Sequence, residues 1–240
     1  MESWSDQAIV LHARLHGEGG AIVSVLSENN GRCAGYVHGV QSSKNRASCE
    51  VGAHVSLVWS AKNQEQLGSF KIELEHSVAP DILFDKERIV ALQSACALCH
   101  EALPEREGHA GLYHGLRALF DLLQSDSWAP AYIMWEMQFL RELGFSLDLS
   151  RCAGGGDASQ LAYISPKTGR AVSLEKAQPY KDRLLPLPEF LKPTPDGEVG
   201  SKQDIALGLT MTGYFLEHWA FVHHTRGVPD IRERLRSLFV

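Results

Sequence analysis

The chain has 240 residues, 44% of them hydrophobic, and a formal charge of −6, enough for one large domain or two small ones. No stretch of about 18 apolar residues occurs, which excludes a membrane-spanning helix. The negative balance argues against gripping duplex DNA by charge alone. An odd set of five cysteines, with an acidic and polar start rather than a basic and apolar leader, predicts a cytoplasmic protein with reduced, buried thiols.

Early in the chain the apolar spacing has a period of two. Ile9, Leu11, Ala13 and Leu15 alternate with Val10, His12, Arg14 and His16; Phe70, Ile72 and Leu74 alternate with Lys71, Glu73 and Glu75. That pattern predicts strands with one buried face, Ile9 and its partners facing in. Three more strand-like runs lie between them, at 21–27, 33–38 and 55–60. Gly17-Glu18-Gly19-Gly20 and Asn29-Asn30-Gly31-Arg32 supply turn residues that tolerate positive φ. The third connection, 39–53, reads as a long polar loop containing Lys44 and Arg46, and Ala61 to Gln66 turns into the fifth strand. Five strands in so short a span predict a small closed barrel, an architecture that binds oligonucleotides or proteins more often than it does chemistry.

Ala79-Pro80-Asp81 marks a boundary, with Asp81 the candidate helix cap. Beyond it the apolar spacing becomes three and four. Ile89, Leu92, Cys96, Cys99 and Leu103 form one helical face, and Leu112, Leu116, Leu119 and Leu123 a second. After Pro130, Tyr132, Trp135, Phe139 and Leu143 form a third, which Gly144 ends. Two further helices are predicted over 203–222 and 229–238. Glycines 154–156 and Pro186, Pro188, Pro193 and Pro195 break the segment between, so an irregular insert is expected over about 150–200. The fold class is therefore α+β: a five-stranded barrel over 1–79, then a helical domain over 80–240 carrying the insert.

Several motifs invite chemistry. Cys96-Ala97-Leu98-Cys99-His100 spells a haem-attachment pattern, but both thiols fall on an apolar helical stripe, and no second pair completes a zinc site. His218, His223 and His224 lack the one-turn spacing that a metal would use. No nucleophile elbow, Walker loop or dinucleotide fingerprint occurs, so no catalytic residue is assigned and a non-enzymatic role is expected. Charge distribution is more informative. Acidic residues dominate 81–149, whereas 150–240 is slightly basic. Arg151, Lys167, Arg170, Lys176, Lys181 and Arg183 interleave with Tyr163 and Tyr180. Such a cluster suits either single-stranded nucleic acid, through phosphate contacts and stacking, or plain solvent. Lys44 with Arg46 is a smaller basic spot. Arg232, Arg234 and Arg236 are a third, with Arg232 and Arg236 one turn apart.

The opening Ala8-Ile9-Val10-Leu11-His12-Ala13-Arg14 and the Gly31-Arg32 turn resemble the start of the bacterial recombination mediator family RecO. Glu142-Leu143-Gly144-Phe145-Ser146-Leu147-Asp148-Leu149-Ser150-Arg151-Cys152 is similar to the proteobacterial branch of that family. So are Tyr163-Ile164-Ser165-Pro166-Lys167-Thr168-Gly169-Arg170 and Pro179-Tyr180-Lys181-Asp182-Arg183. The resemblance covers nearly the whole chain, most specifically 142–190. It implies an N-terminal OB-fold and a helical C-terminal domain, with binding of single- and double-stranded DNA, strand annealing and help in loading the recombinase. The implied partners are RecR and the acidic C-terminal tail of the single-stranded-DNA-binding protein. Some members carry four zinc-binding cysteines in the insert. Here Cys152 remains, while Gly155, Ser173 and Lys176 stand at the other places, so no metal and no cofactor are expected. His38 stands where a basic residue often precedes the glycine.

The reading is a DNA repair and recombination mediator whose candidate DNA-binding residues are Lys44, Arg46, Arg151, Lys167, Arg170, Lys181 and Arg183. The tail's receptor needs a cation beside an apolar groove, with Arg117, Arg141 and the 203–236 region as candidates. The rival readings are an RNA-binding OB protein and an adaptor that binds only proteins.

Overall fold

The computed structural model describes residues 2–63 and 66–240. Gln64, Glu65 and the Lys44 side chain lie outside the described residues. The first strands are β1 (Glu2–His16), β2 (Gly20–Ser27) and β3 (Gly31–His38), followed by a short helix α1 (Ser43–Ser48) and by β4 (His54–Ala61) and β5 (Ser69–His76). They close in the order β1-β2-β3-β5-β4. All pairings are antiparallel except β3 with β5. This is the small closed barrel that the five strand-like runs predicted, with the OB-fold that the family resemblance implied.

The interior holds small residues where large ones must enter. Ala8, Val10, Ala21, Val23, Val25, Val55, Leu57, Trp59, Phe70 and Ile72 are among its buried side chains. Phe70 lies on Gly35, where a Cβ would come within 2.7 Å of its ring. Two expectations change here. The register of β1 shifts between Val10 and His12. The bulge there reverses which side chains face in. Ala8 and Val10 fill the barrel core before it and only Ala13 of the Ile9 series packs there after it; Ile9 and Leu11 are buried outside that cluster, and Leu15 is 78% exposed. The third connection is also not all loop. Ser42 caps α1 by accepting a hydrogen bond from the Asn45 amide.

Next come α2 (Lys86–Ala102), α3 (Ala110–Leu122) and α4 (Trp128–Glu142). Asp85, not Asp81, caps α2, accepting from the Glu87 and Arg88 amides at 3.1 Å each; it is the carboxylate one residue before the first turn. The chain clusters into two compact units. One is residues 1–124 with 229–232, so α2 and α3 pack with the barrel; the other is 125–228 with 233–240. Asp6 pins the β2–β3 turn to β1. It accepts from the Ser27 hydroxyl and, at 2.9 Å each, from the Asn29 amide and the Asn29 and Asn30 side chains. Partial burial works to raise this carboxyl, but those donors outweigh it and hold it below its ordinary value.

The second unit contains α4, a three-stranded sheet in the order β7-β6-β8, and α6. The sheet strands are β6 (Leu161–Ile164), β7 (Ala171–Ser173) and β8 (Leu185–Pro186). A short helix α5 (Leu174–Ala177) and a 3-10 turn (Gln178–Arg183) lie between β7 and β8. The insert expected to be irregular therefore contains its own small sheet. α6 (Lys202–Phe215) packs on α4 through Gly208, where a Cβ would meet Ile133 at 2.6 Å. Thr212 donates across the same contact to the buried carboxylate of Glu136. The last helix, α7 (Asp230–Ser237), has a fully buried Arg232. That residue cannot share a solvent-facing stripe with Arg236.

Within the insert, the Ser173 amide donates to Cys152 Sγ at 3.3 Å, with the Ser173 hydroxyl at 3.5 Å. Burial would raise this thiol, yet donors from Ser173, Gly156 and Gly154 outweigh it and bring it down to about 7. Burial drives the other four thiols up, Cys33 to about 12 and Cys49 to about 11. Iodoacetamide is therefore expected to alkylate Cys152 first, with a rate midpoint near pH 7 read by peptide mass spectrometry. Modification of another cysteine at that pH would contradict the assignment.

Replacing Asp6 with alanine is expected to cost about 2 kcal/mol, the worth of a hydrogen bond to a charged group. Because the folded-state carboxyl is the more acidic, this contribution is complete above the unfolded value of about 3.9. It is lost as pH falls through the folded value. Denaturant unfolding of both proteins across pH should show the gap closing in acid.

Candidate nucleic-acid interface

On the outer face of β1, β2 and β3, the register aligns His16, Gly20 and His38 in one row and Arg14, Ile22 and Tyr36 in the next. Tyr36 leans from the second row onto the first. Its hydroxyl donates to the His16 carbonyl at 3.4 Å, and its ring lies over Gly20, where a Cβ would fall 2.0 Å from the phenol oxygen. His16 meets the ring edge-on at 6.2 Å and His38 at 4.6 Å. The three rings thus form a contiguous edge-to-face platform, the imidazoles standing at 84° and 77° to the phenol ring, which Gly20 alone among residue types leaves room for. Arg14 is exposed beside it.

The basic spot sits at one end of this platform. Asn45 in α1 donates to the carbonyls of His38 and Gly39 at 3.1 and 3.2 Å, anchoring the helix to the end of β3. Gln41 donates to the Glu18 carbonyl at 2.8 Å, and the Val40 amide to that of Gly19 at 3.1 Å. The connection is thereby drawn down onto the β1–β2 turn. Arg46 is exposed on α1, and Lys44 belongs to the same helix. A groove of about 800 Å³ opens nearby, with Lys71, His38, Asn45, Asp6 and Glu73 among its lining residues. Its two carboxylates offset its cations, so the outer face suits a polyanion better than the groove does.

The other end of the platform is closed by α2. His100 stacks on His12, ring centroids 4.8 Å apart, and its Nδ1 lies 3.1 Å from the Ser24 hydroxyl. Burial, then the neighbouring His12, holds the His100 imidazole below its ordinary value. Cys96 and Cys99 are completely buried on the inner face of α2, with Cys96 Sγ 3.7 Å from the Val10 carbonyl. The motif that spelled haem attachment is helix packing.

In the second unit, β6 runs antiparallel to both β7 and β8, with Ile164 opposite Ala171 on one side and Leu185 on the other. The loop after Ile164 and the residues entering β7 and β8 therefore share one end of the sheet. Lys167, Arg170 and Arg183, all exposed, gather there. Lys181 lies on the adjoining 3-10 turn with the exposed Tyr180. Arg151 is also exposed, with the Asp148 carboxylate 3.6 Å away. Asp148 itself accepts from the Ser150 hydroxyl and amide. In α7, Arg236 is held by Glu233 at 2.9 Å, which leaves Arg234 as the exposed, unbridged cation of that trio among the described residues.

Of the four positions that the family resemblance ties to zinc ligands, Cys152 and Ser173 meet, whereas a Cβ on Gly155 would have nothing within 4 Å. Besides the Cys152–Ser173 contact, a Cβ on Gly154 would lie 3.3 Å from Lys176. One thiol, a hydroxyl and an ammonium are not a zinc donor set, and no cluster of three His, Cys, Asp or Glu occurs among the described residues. No helix among them is long and apolar enough to cross a membrane.

Sequence comparison agrees with this architecture. The N-terminal model of recombination protein O matches residues 1–78, and the C-terminal model of the same protein matches 83–223. A protein of Rhodospirillum centenum named DNA repair protein RecO is 47% identical over 233 residues, covering 96% of this chain and 92% of its own. Namesakes in Rhodospirillum rubrum and Caulobacter vibrioides are each 43% identical, covering 98% and 95% of this chain and 95% and 94% of theirs. With an OB barrel matching one family model, the following region matching the other, and relatives aligned nearly end to end, the chain belongs to the recombination protein O (RecO) family.

Proposed function

We propose that this protein acts in DNA repair and homologous recombination, in the cytoplasm and without chemistry of its own. In this reading it binds single- and double-stranded DNA, anneals complementary strands and helps load the strand-exchange recombinase. The ringed platform of His16, Tyr36 and His38, with Arg14 beside it and α1 at its end, carries the reading. Flat rings accept unpaired bases of any sequence, and flanking cations take the phosphates. Lys44 and Arg46 contact the backbone at the barrel, and Arg151, Lys167, Arg170, Lys181 and Arg183 supply further contacts on the insert. Annealing then requires only that cations offset the repulsion of two backbones while base pairing supplies the driving force. Residues 1–79 serve as the principal DNA module and 80–240 as the module for protein partners.

Those partners are RecR and the acidic, apolar C-terminal tail of the single-stranded-DNA-binding protein. For the tail, a groove of about 230 Å³ on the second unit is lined by Met134, Met137, Gln138, Arg141, Leu147 and Leu191. It pairs an apolar floor with one cation and has no carboxylate in its lining. Arg117 instead lines a cavity of about 90 Å³ that also contains Asp121. It is smaller, and the carboxylate offsets its cation, so Arg141 is the preferred receptor.

Two measurements test these assignments. In anisotropy titrations with single-stranded DNA across a salt series, Lys44→Ala with Arg46→Ala should lower the log–log salt slope by about 0.7 per lost contact. Tyr36→Ala should cost about 1–3 kcal/mol of affinity while leaving the slope unchanged. A slope indifferent to the first pair, or an affinity indifferent to Tyr36, removes those residues from the interface. Separately, Arg141→Glu should weaken binding of a synthetic acidic tail peptide at least tenfold and spare DNA binding. Loss through Arg117→Glu instead would move the receptor.

A further inference from the structure

We propose that the second unit holds an unpaired nucleobase in a cleft beside the end of α6, as a DNA contact separate from the barrel. The inference rests on the reading of the chain as a DNA-binding protein and adds a site to it. The helix does not stop at Phe215 but continues through one π-helical turn, Leu216–Ala220, closed by the Phe221 amide donating to the Leu216 carbonyl at 2.8 Å. A wide turn of this kind is rare and concentrates at functional sites. Next to it is a cleft of about 500 Å³ whose walls include Phe145, Thr168, His218, Trp219, Val222 and His223, a volume within the range of small-ligand sites.

The rings in this cleft are fixed in place. His218 stacks on Tyr214 with centroids 4.0 Å apart and planes 13° apart. Its Nδ1–H donates to the Tyr214 carbonyl at 2.9 Å, which fixes the orientation of the ring. Trp219 is wedged between the edge of Phe215, centroids 4.6 Å apart, and Phe145 at 6.1 Å. The far side of the indole lies against Gly169, where a Cβ would be 2.7 Å from the ring. Gly169 has φ +63°, so the loop can bring its backbone this close only with glycine there.

That loop, residues 165–170, also brings charge. It carries Lys167 and Arg170 and no carboxylate, and Thr168 lines the cleft between them. Two acidic residues flank this region: Glu217, exposed, with its carboxylate 3.9 Å from His218 Nδ1, and Asp148, whose amide donates to the Gly169 carbonyl at 2.8 Å while its carboxylate meets Arg151 at 3.6 Å. Cations alone would suit an acidic peptide equally well. A preset stack of flat rings selects a nucleobase, its phosphate falling to Lys167.

The test is photocrosslinking of the full chain to single-stranded DNA carrying iodouracil, with adducts mapped by mass spectrometry. We expect adducts on peptides spanning 214–223. At DNA concentrations that saturate both proteins, their share of all adducts should fall about tenfold in His218→Ala combined with Lys167→Ala, the scale of one lost stacked base. Both of those side chains are exposed, so the double variant keeps its fold. Adducts on barrel peptides alone would overturn this site and leave the proposed function standing. Absence of any adduct together with absence of any gel retardation would overturn both.

Discussion

The fold and its binding face depend on one break in the hydrogen-bond ladder of β1. That strand spans 15 residues and pairs with β4 through its first half and β2 through its second. A strand serving two neighbours in a closed barrel has to bend sharply, and the bulge between Val10 and His12 supplies the bend. It also reverses the inside–outside alternation. Ala8 and Val10 fill the barrel before it. After it Ala13 faces the core, while His12, Arg14 and His16 are exposed. Without that reversal, His16 would not reach the row where Gly20 and His38 bring Tyr36 across the sheet.

The same geometry explains how a chain with a net charge of −6 can meet a polyanion. Affinity for nucleic acid depends on the few cations within a Debye length of the phosphates, about 8–10 Å at ordinary salt, not on the total. The negative charge is concentrated in 81–149, and much of that segment is helix packed against the barrel. The exposed cations sit instead on α1 and at one end of the insert's sheet. On the proposed reading, so few contacts keep binding weak and its salt slope shallow, and stacking on rings becomes a correspondingly larger share of it.

Much of this was legible in the sequence. Alternation identified β1 and β5, whose period shows directly, and strand-like runs between turn residues identified β2, β3 and β4; β2 is buried along nearly its whole length and shows no period. The helices were equally plain, and Cys96 and Cys99 on one apolar stripe correctly read as packing. Features set by a single local deviation were not visible. A bulge leaves no periodic trace, so the inner face of β1 was assigned to Ile9 and Leu11. In α1, a helix of six residues shows no periodicity, and its signal was only Ser42 three residues before Asn45. The strands of the insert, two to four residues long, are too short for any pattern. Arg232 looked like a surface cation because a buried guanidinium is rare. Lys167, Arg170 and Arg183 were selected as cations, but only the register of β6 with its two neighbours brings them to one place. Tyr36 and His16 went unremarked, since their importance depends on a glycine on the neighbouring strand.

The account rests on the outer face of β1–β3 being where single-stranded DNA lies. Amide chemical-shift mapping of isotope-labelled protein, titrated with a short single-stranded oligonucleotide at low salt, tests that directly. The account predicts the largest shifts at His16, Gly20, Tyr36 and His38, continuing into α1. Saturable binding whose shifts leave those strands untouched would contradict it.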